Sequence, residues 1–182
     1  LEDTKQRTLK KEYSIASLLT LEQLQQLLNT PNIIQDRKLI LIDSHNHASS
    51  LFKEGELYYY FDPNCNIGEV QTVSIDEIAK LIFDAHFNGI QPYATPSPLG
   101  FRMFSFDATA VSYPSQQEVL ESIQPVLNPQ PRYANEASGL SQAAHIGSLG
   151  SVQYFLEQRV DPNLQDNSGS TALMRAASKG HI

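Results

Sequence analysis

A histidine and an aspartate stand in this sequence where two neighbouring strands would bring their side chains together. His47 begins the segment HASSLF (47–52), and Asp62 ends the aromatic segment LYYYFD (57–62). The turn sequence KEGE (53–56) between them predicts an antiparallel hairpin. We therefore expect Asp62 to accept a hydrogen bond from a ring nitrogen of His47 and to hold the imidazole in one tautomer.

An imidazole oriented by a carboxylate is the general base of Cys-His-Asp hydrolases, where it takes a proton from the nucleophilic thiol. The interpretation that needs no catalysis is a hydrogen bond that only stabilises the hairpin. A third use of histidine is metal binding, because His45 and His47 would share one face of a strand. No third ligand lies near them in the sequence, so we expect no metal site and no cofactor.

The two blocks resemble those of YopT-like cysteine proteases, papain-fold effectors that bacteria inject into host cells. That family carries Gly-His-Ala-Ile at its histidine and Phe-Phe-Asp-Pro-Asn at its aspartate, and this chain has NHAS (46–49) and YFDPN (60–64). The resemblance covers roughly residues 15 to 90. It implies that His47 is the general base, that Asp62 orients it, and that the chain contains the C-terminal, His/Asp-bearing part of an α+β papain-like cysteine protease.

The sequence departs from this family at the nucleophile. The family's cysteine lies at the N-terminus of a helix well before the histidine, where the helix dipole lowers the thiol pKa. Here the only cysteine is Cys65, three residues after Asp62. Three interpretations remain. The nucleophile lies in an N-terminal part of a longer parent protein, or the domain has lost it and serves as a binding scaffold, or Cys65 folds back over His47.

The surrounding sequence predicts a mixed α+β domain over residues 1–132. KLILID (38–43) is typical of a buried strand, and residues 69–73 of a short extended segment. Apolar residues that recur on one helical face predict three helices, each with a Ser or Thr that can cap it: residues 18–28 with Thr20, Ile75 to about Phe87 with Ser74, and Gln116–Ile123 with Ser115.

Two stretches give weaker patterns. The polar residues 1–14 predict a helix or a frayed end. The proline-rich residues 89–114 predict a long ordered loop with one strand at FRMFSF (101–106), or a linker, and further prolines extend this loop region to residue 131. His86 is assigned to the surface or to a half-buried position on its helix.

Residues 135–182 repeat themselves with a period of 33, which is the ankyrin period of a turn and two antiparallel helices. Leu140, Ala143, Ala144 and Gly147 align with Leu173, Ala176, Ala177 and Gly180. We expect one full unit, atypical as a capping repeat, with Val152, Phe155 and Leu156 buried in its outer helix, and the start of a second unit. Because a repeat and a half cannot bury its own face, we expect this sequence to be part of a longer protein with further repeats.

The composition restricts the classes of partner that we expect this chain to bind. The net charge is −7 and the basic residues are scattered, so we expect no nucleic-acid partner. No run of 18 apolar residues occurs, so no membrane span is predicted. We expect a monomer that binds proteins through all-α ankyrin repeats.

The two parts together resemble ankyrin-containing effectors of intracellular bacteria such as Legionella. The resemblance implies a thiol hydrolase domain joined to a target-docking ankyrin array, secreted into a host cell and acting on host proteins in the cytosol or nucleus. The alternative is a catalytically inert, protease-like adaptor that binds host proteins through its repeats.

Overall fold

The computed structural model describes residues 9–44, 47–64, 69–87, 96–105, 111–127, 138–166 and 168–181. The strands and helices in these residues follow in chain order: β1 (Lys10–Leu19), α1 (Leu21–Asn29), β2 (Leu39–Asp43), β3 (Ala48–Glu54), β4 (Leu57–Phe61), β5 (Glu69–Thr72), α2 (Ile75–Phe87), β6 (Ser97–Ser105), α3 (Gln116–Ile123), α4 (Gly139–Ile146), α5 (Leu149–Glu157) and α6 (Ala172–Ser178).

The strands form one antiparallel sheet in the order β1-β6-β2-β3-β4-β5. From β2 to β5 the chain pairs each strand with the next one, whereas β6 returns to lie between β1 and β2. The predicted hairpin is confirmed, since β3 and β4 pair up to Glu54 and Leu57. Gly55 turns the chain with a positive φ of 58°, which glycine adopts without strain. The mixed α+β class is therefore confirmed.

The prediction of a helix or a frayed end over residues 1–14 is wrong from residue 10 onward, and residues 1–8 lie outside the described residues. Instead of a helix or a frayed end, residues from Lys10 onward form β1, and Leu18 lies in this strand rather than on the first helix. The second half of β1 is buried throughout, so it lacks the alternation by which a strand with one exposed face is recognised. The helix α1 begins only after Thr20, whose side chain accepts a hydrogen bond from the backbone of Gln23 in a reciprocal capping box.

The strand predicted at residues 101–106 begins earlier than expected. It starts at Ser97, contains Pro98 as its second residue, and forms a central strand of the sheet. Proline is tolerated at the beginning of a strand, where few ladder hydrogen bonds are lost. Gly100 permits a close approach, because a Cβ atom there would lie 2.8 Å from Cγ2 of Ile146 on α4.

The other predicted helices are confirmed. The side chain of Ser74 accepts a hydrogen bond from Glu77 N–H at 3.2 Å, and Ser115 accepts one from Glu118 N–H at 3.4 Å. Helices α1 and α2 pack on strands of the sheet, whereas α3 packs on α1 and α5, and all three contribute buried residues to one apolar core. The helix α2 covers strands β4, β5 and β6, which places its last turn near the ends of the β3–β4 hairpin.

The helices of the predicted repeat pack directly on the sheet. The helix α4 contacts β1 and β6, and its buried residues belong to the same hydrophobic cluster as those of the strands. Two serines join α5 to β1: Ser148 Oγ donates to the Ser14 carbonyl at 2.9 Å, and Ser151 Oγ accepts from Ala16 N–H at 3.1 Å. The division into domains at residues 1–132 and 135–182 stays a prediction.

The helix pair α4–α5 has the predicted turn, with Gly147 in the left-handed region at φ 68°. Of the outer-helix residues predicted to be buried, Phe155 is buried and Val152 is half-buried. The prediction for Leu156 is wrong, because 47% of it is exposed. The helix packs on α4 and β1 through Phe155, and the next residue is turned by about 100° to the open side.

Asp166 organises the turn between the two repeat units. Its Oδ1 accepts backbone hydrogen bonds from Ser168 at 2.9 Å and from Ser170 at 3.0 Å, and its Oδ2 accepts one from Arg175 Nε at 2.8 Å. Burial alone would raise the pKa of the Asp166 carboxyl, but these hydrogen bonds hold the pKa at about 2. The carboxylate is therefore stabilised in the folded chain relative to the unfolded one.

We expect the variant Asp166→Asn to be destabilised by about 2 kcal/mol at neutral pH, the value that a lowered pKa of this size corresponds to. Because the folded pKa is depressed, this contribution is present above the unfolded pKa and is lost as the pH falls towards the folded one. Urea unfolding from pH 5 to pH 2.5 should show the difference between variant and parent shrinking. Asp36→Asn is the matched control, since Asp36 also accepts a backbone hydrogen bond but is exposed. A difference that does not change with pH would contradict the prediction.

Candidate functional site

The hairpin brings His47 and Asp62 together at one end of the sheet. His47 directly precedes β3 and Asp62 directly follows β4. Nε2 of His47 lies 3.0 Å from Oδ1 of Asp62, and only 11% and 8% of the two side chains are exposed. The contact does not count as an aligned hydrogen bond, because Nε2 of His47 has no hydrogen-bond partner among the described residues. Catalytic hydrogen bonds commonly align only when substrate is bound.

Asn64 defines the other side of the histidine ring. Its side-chain nitrogen Nδ2 lies 3.1 Å from Nδ1 of His47. An amide nitrogen can only donate, so Nδ1 accepts and the ring proton sits on Nε2, facing Asp62. The turn itself is held by Asp62, whose Oδ1 accepts the backbone N–H of Asn64 at 2.8 Å. The tautomer thus leaves the lone pair of Nδ1 on the side away from the carboxylate.

His86 is a further member of the site, and the prediction of a surface or half-buried position was wrong. Only 7% of His86 is exposed, and its ring packs edge-on against that of His47, with centroids 4.7 Å apart and planes at 63°. The sequence did contain an indication that His86 is buried, because His86 follows the apolar residues Ile78 and Ile82 at intervals of four residues. These positions share the buried face of α2.

Both ring nitrogens of His86 have hydroxyl partners. Nδ1 lies 3.0 Å from Oγ of Ser44, and Nε2 lies 2.8 Å from Oγ of Ser49. Burial, which is the largest cause, and the neighbouring His47 together lower the pKa of His86 to about 3, although Asp62 opposes the shift. His86 is therefore a neutral imidazole at physiological pH.

Two other residues considered in the sequence, His45 and Cys65, lie outside the described residues. Among the residues that are described, no group of three His, Cys, Asp or Glu side chains is placed to hold a metal ion. None of the described helices is long and apolar enough to cross a membrane.

Comparison with protein families supports the repeat. Residues 140–182 match a family described as "Ankyrin repeats (many copies)". The predicted ankyrin repeat is confirmed for this segment. The match covers less than half of the chain, and an array of stacked repeats stays a prediction. No curated protein sequence matches the chain significantly.

Two solved structures are distantly similar to part of the chain. The Pseudomonas avirulence protein AvrPphB matches 55% of this chain and 52% of its own, with 22% identity and a TM-score of 0.38. A ubiquitin-specific protease encoded by the murine cytomegalovirus tegument protein M48, solved with a ubiquitin-based suicide substrate, matches 64% of this chain and 55% of its own, with 13% identity and a TM-score of 0.36. The chain spans only about half the length of either protein.

Proposed function

We propose that the sheet and the helices α1–α3 are the His/Asp half of a papain-like thiol hydrolase, with His47 as general base and Asp62 as its orienting partner. The observation that supports this most directly is the 3.0 Å contact between Nε2 and Oδ1 of two nearly buried side chains. The NHAS and YFDPN blocks, which resemble the YopT-like proteases, contain the same two residues.

The geometry suits proton transfer through Nδ1. A cysteine thiol placed where the Asn64 amide now lies would give its proton to Nδ1, and the thiolate would attack an acyl carbonyl carbon. The resulting imidazolium would be stabilised by Asp62 at Nε2, and it would return the proton to the leaving group as the acyl-enzyme forms. Water activated by the same Nδ1 would then hydrolyse the thioester. Asn64 is exposed, so its side chain can move aside for the thiol.

The nucleophile is proposed to come from a part of the parent protein that precedes this chain. Cys65 follows Asp62 in sequence, whereas the nucleophile of the YopT-like family precedes the histidine. We further propose that the parent is a bacterial effector secreted into a host cell, and that its ankyrin repeats dock the host protein on which the hydrolase acts.

The variant His47→Ala of the full-length parent is expected to lower the rate of labelling of the nucleophilic cysteine by about 10²- to 10⁴-fold, which is the usual contribution of a general base. The measurement is the rate of modification by iodoacetamide-alkyne at limiting probe concentration, with the modified residue identified by mass spectrometry. His181→Ala, which removes an exposed histidine, is the matched control.

The variant Cys65→Ser separates the interpretations of the nucleophile. If the nucleophile lies upstream, this variant keeps the full labelling rate and the His47 dependence. Labelling that is indifferent to His47 would refute the hydrolase, and His47-dependent labelling of Cys65 itself would refute an upstream nucleophile.

The second candidate function is that of an inert adaptor, which the ankyrin match favours. The repeat helices also expose large apolar side chains that a protein partner could cover: Leu149, Leu156, Leu173 and Met174. A full-length parent without any His47-dependent cysteine would support the adaptor over the hydrolase.

A further inference from the structure

The second buried histidine of the site is joined to the first by a chain of hydrogen bonds. Ser44, at the end of β2, donates its backbone N–H to the carbonyl of His47 at 2.9 Å. Its hydroxyl donates to the same carbonyl at 3.4 Å. Ser44, Ser49 and His86, which we call the His86 network, are each at most 7% exposed. The network therefore links the helix α2 to the backbone of the general base.

The directions of these hydrogen bonds follow from the atoms available. A hydroxyl has one proton. With the Ser44 proton on the His47 carbonyl, which the 3.4 Å distance allows, Ser44 Oγ accepts from Nδ1–H of His86 at 3.0 Å. Nε2 of His86 then carries no proton and accepts from the hydroxyl of Ser49. Every polar atom of the network has a partner, and His86 is held in the Nδ1–H tautomer.

We propose that His86 is a positioning residue for His47. It fixes the His47 backbone through Ser44 and limits rotation of the His47 ring by edge contact, so that Nε2 faces Asp62 and Nδ1 faces the exposed Asn64. The catalytic meaning of this role rests on the proposed function, whereas the positioning itself does not.

Histidine at position 86 suits this positioning role better than an apolar residue would. A phenylalanine would fill the same space, but it would leave the buried hydroxyls of Ser44 and Ser49 without their partner. Among the described residues, the titratable groups that face His86 are His47 and Asp62, and the low pKa of His86 keeps it uncharged beside both.

The test is the tautomer of His47, read from the nitrogen-15 shifts of its ring in the 182-residue chain, with the signals assigned by a His47→Gln spectrum. In the unchanged chain we expect His47 as the Nε2–H tautomer and His86 as the Nδ1–H tautomer, with His86 constant from pH 8 to pH 5. In His86→Leu the two ring nitrogens of His47 should move towards each other by a third or more of their separation, because both tautomers become populated.

Ile78→Ala is the control for a merely structural effect. Ile78 is fully buried on the same helix, and eight residues before His86 it lies about 12 Å away along the axis. The variant Ile78→Ala should leave the nitrogen-15 shifts of His47 unchanged even if the chain is less stable. Should His86→Leu fail to fold, Ser49→Ala is the milder variant, with a smaller shift of His47 in the same direction.

Unchanged His47 shifts in the folded His86 and Ser49 variants would overturn the proposal, as would equal shifts in Ile78→Ala. The readout needs no nucleophile and no substrate. A parent protein without a reactive cysteine would therefore refute the hydrolase while leaving the positioning result intact. Conversely, a reactive, His47-dependent cysteine together with unchanged His47 shifts would refute the positioning role and leave the hydrolase intact.

Discussion

Replacing Asp62 by asparagine in the full-length parent is expected to slow modification of the nucleophile by about 10³- to 10⁴-fold, a loss of the size seen when the orienting aspartate of a triad is neutralised. The amide of asparagine can donate to Nε2 of His47, which would place the ring proton on Nδ1. The base would then present a proton rather than a lone pair to the thiol. The imidazolium would also lose its neighbouring negative charge.

Oδ1 of Asp62 contacts both Nε2 of His47 and the backbone N–H of Asn64. An amide nitrogen that donates to Nε2 therefore no longer accepts from Asn64. The fold should tolerate this change, because only one backbone hydrogen bond in an exposed turn is lost. The chain contains its own matched control in Asp161. There the same Asp-Pro-Asn sequence forms the same turn, with Asp161 Oδ1 accepting from Asn163 N–H at 2.9 Å, but it lies in the repeat segment rather than beside His47.

Asp161→Asn should therefore leave the labelling rate unchanged, and thermal unfolding should be similar for both variants. The measurement is again the rate of probe modification, together with the His47 tautomer in the 182-residue chain. Equal rates in the two variants would show that Asp62 only shapes its turn.

The largest effect on stability is expected for Phe155→Ala, at about 3–5 kcal/mol lost from the free energy of unfolding. Phe155 is fully buried, and its ring occupies the space next to Gly139 where any larger residue would place its Cβ. Domains of this size are stable by about 5–15 kcal/mol, so this one side chain decides a large share of the total.

Leu156→Ala is the matched control on the same helix. Because Leu156 is 47% exposed, its truncation in the 182-residue chain should cost less than about 1 kcal/mol. Urea unfolding followed by circular dichroism gives both values. Hydrogen exchange should show the amides of β1 losing protection together with those of α4 in Phe155→Ala, since α4 and α5 pack on β1. A loss of protection confined to the repeat helices would contradict this coupling.

The parts of the fold that the sequence predicted depend on local signals. The β3–β4 hairpin follows from a short turn between two apolar segments, and the turn residues determine which ends meet. The pairing of His47 with Asp62 could therefore be anticipated, including its place at the open end of the hairpin. The helices α2 and α3 could be predicted equally well, because a serine cap and a repeating apolar face both lie within one short stretch of sequence.

The parts that were missed depend on distant partners. The strand β1 contains polar residues at one end and a fully buried run at the other, and only its pairing with β6 makes it a strand. Pro98 and Gly100 made the sequence of β6 resemble a loop. In the structure Pro98 lies near the beginning of the strand, and Gly100 allows the close approach of α4. The apolar residues Ile78 and Ile82, spaced by four along α2, indicate that His86 is buried. Its hydroxyl partners, Ser44 directly after β2 and Ser49 in β3, are distant in sequence, so no local pattern predicts them.

The sheet order has a consequence for the nascent chain. Leu19 pairs with Ser97 and Lys10 with Ser105, so roughly 80 to 95 further residues must be synthesised before the partner strand of β1 exists. At ribosomal speeds of about 5–20 residues per second, the delay is about 4 to 20 s. During this time the apolar end of β1 is an unpaired strand, the kind of segment that associates with other chains. Of the six described strands, β1 is thus the first to be made and among the last to enter the sheet, and a chain shortened before β6 would leave it permanently without that partner.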